Sequence, residues 1–436
     1  MVLGAGFLLC AAGAPSAAAA TPPYAPLDQP GPALDVPLAQ LQASLQCERG
    51  VRDASVEPVL LNPGTGVTAE QNFSWNWEPA LEKLGLPWCA YTAPYHTLGD
   101  IQTSGEYLVY AIRTMYAMAG RTITIMGHSQ GGMSMRWALR FWPDTRAMVN
   151  KVIGFAGDND GTTTITPSAC ALGCPPADWQ QMSTSNFIQA LDSDTETFPG
   201  ISYTNIYTHT DEVVQPDTGP TNCTSCLDTV GGPVTNVATQ DVCPADVDEH
   251  LAIGTIDPVA YALAVDALTH PGPADPARIS KSVCSQLYMP GVNPADVNTE
   301  LQILEAAPIL TSVAAGATAG LTAGAPVVFS EPPLACYVFA TCPATTPLKL
   351  TVAPAHSVLH RKTKLRFLVT VDVGGVISPV PGASVWVANG RHLHTDTAGG
   401  ATLTIAFGRR GRRRVFASAS EYLNGSATIN VSRRKA

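Results

Sequence analysis

Thr122-Ile123-Thr124-Ile125-Met126-Gly127-His128-Ser129-Gln130-Gly131-Gly132-Met133-Ser134-Met135-Arg136-Trp137-Ala138-Leu139-Arg140-Phe141 changes its periodicity at one serine. Residues 123–126 are apolar and β-branched, the composition of a buried strand. Beyond the serine, Met133, Trp137 and Phe141 recur every four residues, which predicts a helix over 130–141, stopped by Pro143. Between strand and helix lies Gly127-His128-Ser129-Gln130-Gly131, a G-x-S-x-G pentapeptide, and this context makes it a nucleophile elbow. Such a turn brings the chain too close to itself for side chains at Gly127 and Gly131. It would hold the Ser129 hydroxyl above the sheet, at a helix N-terminus whose amides favour a developing oxyanion. The pentapeptide alone arises easily in a chain with 37 glycines; its flanks give it weight.

Outward from the elbow, short apolar runs alternate with helical stretches over residues 46–344. This is the pattern of an α/β fold with a mainly parallel sheet. Strands are expected over 58–61, 123–126, 152–155 and 203–207, and helices over 105–119 and 130–141. Residues 295–323 are Ala-rich, with Leu301, Leu304, Ile309 and Leu310 apolar, and predict a helical lid or wall. The texture changes after Thr341-Cys342-Pro343-Ala344. Runs of period two follow at 350–352, 365–371, 384–387, 401–405, 414–417 and 427–431, with turn residues between them. Residues 345–436 therefore read as an all-β sandwich of immunoglobulin-like type.

The charge divides at the same place. The chain of 436 residues has a formal net charge of −10, yet residues 345–436 carry 14 of the 25 Lys+Arg and only 3 of the 35 Asp+Glu. That segment is strongly basic and the larger one strongly acidic, which argues against nucleic acid as the larger unit's partner. Arg409-Arg410-Gly411-Arg412-Arg413-Arg414 is either a solvated turn or a patch for anionic envelope polymers or lipid headgroups.

Residues 1–20 read as an export signal, with an apolar run and Ala18-Ala19-Ala20 at its end, although a basic start is missing. A lipid-modified Cys10 is disfavoured by the bulky Leu9 before it. Residues 21–45 read as a Pro-rich, flexible lead-in. No other stretch reads as long and apolar enough to span a bilayer, so a soluble secreted protein is expected. Ten cysteines remain besides Cys10, which in an exported chain points to disulfides. Cys170/Cys174 and Cys223/Cys226 lack nearby histidines at ligand spacing, so no metal is expected.

A serine nucleophile needs a base, and the base needs a carboxylate to orient it. His209 lies too close to Asp211 in sequence, and His270 sits in the turn His270-Pro271-Gly272-Pro273. His250, before the apolar Leu251-Ala252-Ile253, is the expected base. Asp211 and Asp158 both follow strands, and Asp211, which comes from the later of the two, is favoured as the acid. Asp158 then lines the pocket or serves structure. The Gln130 amide and the loop Asn62-Pro63-Gly64-Thr65-Gly66, through Thr65, are the expected oxyanion donors.

These residues together resemble a known family. Asn62-Pro63-Gly64-Thr65-Gly66, Ser129-Gln130-Gly131-Gly132, Trp179-Gln180-Gln181, Thr204-Asn205-Ile206-Tyr207, Thr210-Asp211-Glu212-Val213-Val214-Gln215-Pro216 and His250 are similar to the Candida antarctica lipase B-like family of secreted α/β-hydrolases. The resemblance covers about residues 40–344 and leaves the sandwich uncovered. It implies an ester hydrolase acting on lipids, without a cofactor. It also implies Ser129, Asp211 and His250 as the triad, Thr65 and Gln130 as the oxyanion hole, and the disulfides Cys47–Cys89, Cys243–Cys284 and Cys336–Cys342. Cys170–Cys174 and Cys223–Cys226 are left as extra local pairs. His128 stands where the family's lipase carries tryptophan, so alcohol selectivity does not transfer. His128, Asp158 and Leu301 are the expected pocket residues. The same triad would also serve an acyltransferase or a polyester depolymerase. A catalytically inert envelope-binding protein is the reading from a different class.

Overall fold

The computed structural model describes residues 23–305, 324–340 and 347–433, apart from 374, 375, 389, 391, 420, 421, 423 and 424. The export signal with Cys10, the Ala-rich stretch after Glu305, and Cys342 with the expected boundary lie outside the described residues.

The first sheet is built from β1 (Leu45–Cys47), β2 (Val59–Asn62), β3 (Trp88–Tyr91), β4 (Ile123–His128), β5 (Val149–Phe155) and β6 (Ser202–Tyr207). A small ribbon, β7 (Asp217–Gly219) and β8 (Asn222–Cys223), precedes its last strand, β9 (Val234–Ala238). The order is β1-β3-β2-β4-β5-β6-β9. Only β1 runs antiparallel; the other neighbours pair in parallel.

Eleven helices are described: α1 (Leu38–Ser44), α2 (Ala69–Phe73), α3 (Trp77–Leu84), α4 (Ile101–Ala119), α5 (Gln130–Phe141), α6 (Pro176–Gln180), α7 (Asn186–Leu191), α8 (Thr239–Val242), α9 (His250–Thr255), α10 (Pro258–Thr269) and α11 (Val297–Glu305). Strands buried on both faces must be apolar throughout, and β2 is buried at all four positions. Leu60 and Ile125 point into a core shared with α4 and α5, whereas Leu61 and Met126 point into one shared with α3 and α10. By length and composition His250–Thr269 could cross a membrane, contrary to the sequence reading. It forms α9 and α10, and most of it is buried within the protein, so its apolarity belongs to the core.

The lead-in is not loose. Ala25 O accepts from Arg140 Nη2 and Pro32 O accepts from Trp142 Nε1, while the Tyr24 ring stacks on Phe339. Its backbone carbonyls satisfy the buried side-chain donors of Arg140 and Trp142, more than a hundred positions away in sequence.

The C-terminal strands are β10 (Lys349–Ala353), β11 (His356–Val358), β12 (Lys362–Val373), β13 (Val376–Pro379), β14 (Ser384–Val387), β15 (Leu393–His394), β16 (Gly400–Ala406), β17 (Gly411–Ser418) and β18 (Gly425–Ser432). One sheet holds β10-β12-β13 with β16 on β12; the other runs β11-β18-β17-β14-β15. Leu365, Phe367, Val369 and Val371 alternate along β12 into a core that also takes Val385, Val415 and Ile429 from the second sheet. The fold class is therefore the expected one, an α/β unit followed by a β-sandwich.

Disulfides join Cys47 to Cys89, Cys170 to Cys174, Cys223 to Cys226 and Cys243 to Cys284. Cys336 is also disulfide-bonded.

Candidate active site

Ser129 sits between β4 and α5 with φ 56° and ψ −128°. A non-glycine residue there costs of order 1–3 kcal/mol and needs its surroundings to enforce it. Enforcement comes from both sides: Ser129 N donates to Phe155 O at 2.9 Å, and Gly132 N donates to Ser129 O at 2.8 Å. A Cβ on Gly127 would collide with the Gly131 carbonyl, and one on Gly131 with the Asn62 carbonyl. Asn62 Nδ2 clamps the turn by donating to Gly131 O at 2.6 Å and to Ser134 Oγ at 2.9 Å.

Asp211 follows β6 and His250 opens α9. His250 Nδ1 donates to Asp211 Oδ2 at 2.8 Å, with both side chains buried. The other carboxylate oxygen accepts from Val213 N and Val214 N at 2.8 and 2.7 Å. Asp211 is thus fixed in orientation and holds the Nδ1 side of the His250 ring. Burial disfavours the imidazolium of His250, but the Asp211 charge and hydrogen bond outweigh it, with help from Glu212 and Glu249, and lift its pKa to about 9. The two loops are tied further: Thr208 and Thr210 hydroxyls both donate to Asp248 O, at 2.8 and 2.7 Å.

Thr65 lies in the loop after β2. Gln130 Nε2 donates to its hydroxyl oxygen at 3.0 Å, and the hydroxyl donates to Gln181 Oε1 at 2.9 Å. Gln130 is the first residue of α5, so its N–H has no intrahelical acceptor. The loop is close to the nucleophile: a Cβ placed on Gly64 would lie 3.3 Å from Ser129 Cβ.

Two supporting residues escaped the sequence reading. Asn72 Oδ1 accepts from Gly64 N at 3.0 Å, and its amide faces His128 Nδ1 at 3.3 Å. Gln181, quoted only within a resembling block, orients the Thr65 hydroxyl. No periodicity or spacing marks either one.

His128, expected among the pocket residues, is buried, and its Nε2 donates to His250 O at 2.9 Å. Its ring lies 5.1 Å from that of His250, packed where Gly254 has no Cβ. Burial, with the charge of His250, lowers its pKa to about 3, so it stays a neutral strut between serine elbow and histidine loop.

Asp158 follows β5 and is 1% exposed, and neither carboxylate oxygen has a hydrogen-bond partner outside the residue itself. Burial raises its pKa to about 8, with His250 opposing and Asp211 adding to the shift. An unfolded aspartate titrates near 3.9. The folded value is therefore raised, so the stability this group contributes is complete below about pH 4 and lost as pH climbs through about 8. Asp158→Asn is expected to lack that dependence. Its stability relative to the native chain should rise between those limits, by at most ~1.4 kcal/mol per pH unit. Melting curves of both proteins across the window check this; a flat difference would contradict a buried neutral acid.

Leu301, on α11, is half-buried against Trp75, Val67 and Leu251. It joins α11 to α9, the helix that starts with His250. The segment carrying Cys170 and Cys174 forms a small cluster with Ile165, Met182 and Trp179, and Thr162 Oγ1 bonds Val213 O at 2.7 Å, next to the Asp211 turn.

No family model matches the chain. It is 33% identical over 292 residues to Lipase B of Pseudozyma antarctica, across 66% of this chain and 82% of that protein. The crystal structure of Aspergillus fumigatus lipase B superposes with a TM-score of 0.63 at 29% identity, over 73% of this chain and 77% of that one.

Proposed function

Since this chain belongs to the lipase B family and is a carboxylic ester hydrolase, we propose that it is a secreted serine lipase or carboxylesterase that cleaves lipid esters through an acyl-enzyme. The observation that carries this reading is the buried His250–Asp211 hydrogen bond of 2.8 Å, held beside the strained elbow of Ser129 by His128.

In this reading His250 Nε2 takes the Ser129 proton as Oγ attacks the ester carbonyl. Asp211 keeps the proton on Nδ1 and stabilises the imidazolium that forms. The Gln130 N–H and the Thr65 amide or hydroxyl receive the oxyanion; using the hydroxyl requires it to turn from Gln181. Each such donor is worth about 3–4 kcal/mol in the transition state. His250 then protonates the leaving alcohol, and water releases the acyl group by the same steps in reverse roles. Leu301 and the segment around Trp179 supply apolar walls for the acyl chain, and the neutral Asp158 adds no charge against it.

The disulfides fit an oxidising compartment, and with it export. Residues 46–344 would form the hydrolase domain and 345–436 a separate sandwich. Arg409, Arg410, Arg412 and Arg414 are exposed at the start of β17, which suits contact with an anionic envelope or lipid surface.

The test is a panel of p-nitrophenyl esters of increasing acyl length, run with the full chain, together with its retention on anionic vesicles at rising salt. Lipase function predicts higher kcat/KM for longer acyl chains and retention that falls with salt. Hydrolysis confined to acetate, or binding indifferent to salt, would remove the lipid and the surface parts of this reading respectively.

A further inference from the structure

Two acidic clusters stand outside the proposed catalytic machinery among the described residues. Asp160, Asp192 and Glu196 surround the buried guanidinium of Arg136, at 4.0, 2.8 and 3.4 Å. That cluster has its cation built in. The other, Asp246, Asp248 and Asp257, has carboxylate oxygens within 4.8 Å of one another and no Lys, Arg or His paired with them.

The second cluster is also incompletely bonded. Asp257 caps α10 and is 1% exposed. One of its oxygens accepts from Val259 N at 2.6 Å, and the other is buried with no partner. Asp246 repeats the pattern: Oδ1 accepts from Asp248 N at 2.9 Å, while Oδ2 is buried and unpartnered. Two orphaned carboxylate oxygens beside a third carboxylate are costly unless something positive sits among them. The Lys281 ammonium donates to Val242 O at 2.6 Å. All three acids line a cleft of about 340 Å³ that also touches the Cys243–Cys284 disulfide, so the site has room for water ligands and a route to solvent.

We propose that Asp246, Asp248 and Asp257 bind a divalent cation, Ca2+, which fastens the loop carrying His250 to the N-terminus of α10. The donors are all carboxylate oxygens, with no nitrogen or sulfur, which selects a hard cation over zinc or copper. Three protein carboxylates of unequal burial, completed by water, suit the flexible coordination of Ca2+ better than the rigid octahedron of Mg2+.

The position gives the ion a role. His250 follows Asp248 by two residues, and the Asp248 carbonyl is the acceptor for both Thr208 and Thr210 beside Asp211. Fixing Asp248 therefore steadies the base and the acid together. The ion touches neither, so this is positioning and stability, not chemistry.

The experiment is calorimetric titration of Ca2+, and separately Mg2+, into the EDTA-stripped full chain at pH 7.5, paired with melting curves. The expected result is one Ca2+ per chain, weaker Mg2+, and a melting temperature several degrees higher at Ca2+ a hundredfold above Kd. Asp248→Asn and Asp257→Asn should each weaken Ca2+ at least tenfold. Each is near-isosteric, and the melting curve in EDTA shows that it is folded. Asp160→Asn, in the cluster served by Arg136, should bind as the native chain does. No Ca2+ heat and no melting shift would overturn the proposal. So would Ca2+ affinity unchanged in both Asp248→Asn and Asp257→Asn, or lost equally in Asp160→Asn.

Discussion

Ser129→Ala is expected to lower kcat for ester hydrolysis by about a millionfold, equivalent to about 8 kcal/mol of transition-state stabilisation. The variant should fold. Alanine meets the same backbone strain at φ 56° that serine does, and the turn is held by the Phe155 carbonyl and by close glycine contacts that the substitution leaves alone. What disappears is the atom proposed to form the acyl bond. His250 could still activate water, and the oxyanion donors would remain, so a small residual rate above the uncatalysed one is expected. Steady-state assay of an ester alongside a melting curve separates this from unfolding. A folded variant with native kcat would remove the serine from the chemistry.

Asp211→Asn is expected to lower kcat by about ten thousandfold, for a reason visible in its hydrogen bonds. Oδ1 accepts from two backbone amides, Val213 N and Val214 N. Those amides accept no substitute for an oxygen, so the variant's carbonyl stays with them and its NH2 group faces His250. An NH2 group can only donate, which forces His250 Nδ1 to accept and moves the ring proton to Nε2. The base would then carry its proton on the side where it must take one. The charge also goes. Asp211 is the main influence raising His250 to about 9, so the residual activity of the variant should rise with pH along a limb displaced to lower pH. Rate profiles of both proteins from pH 5 to about 10 check this. A variant with unchanged kcat, or with its limb displaced upward, would contradict the assignment.

The elbow was legible because its signal is local. An apolar β-branched run, two glycines and an i, i+4 repeat are adjacent in sequence, and α5 begins and ends where they place it. The alternating strands of the sandwich were legible for the same reason; β14 was expected over the residues it occupies. Strands with weaker composition were missed. β3 is Trp-Cys-Ala-Tyr, β9 carries Thr and Asn, and β1 is three residues long; sheet neighbours make them strands, and their own propensity does not. α4 starts four residues earlier than its apolar repeat suggested, because Asp100 caps it by accepting from Gln102 N.

The site divides in the same way. Ser129, Asp211 and His250, the proposed triad, are suggested by elbow context, strand ends and chain order, and the structure brings Asp211 and His250 into a hydrogen bond. His128 is not signalled this way, since its partner is the backbone of a residue 122 positions away. Its packing against Gly254 is likewise a contact between distant parts of the chain. Asp246 and Asp248 are close neighbours in sequence, and the arrival of Asp257 at the start of the next helix makes them a cluster.

One measurement bears most directly on the central claim, that a single serine at the elbow becomes acylated. The full chain is treated with a p-nitrophenyl alkylphosphonate, whose phosphorus is attacked as an ester carbonyl would be but whose adduct does not hydrolyse. It is then digested and mapped by mass spectrometry. One phosphonyl group per chain, on Ser129, with activity lost in proportion, is the predicted result. Full phosphonylation at another residue, or complete inactivation with Ser129 unmodified, would contradict it.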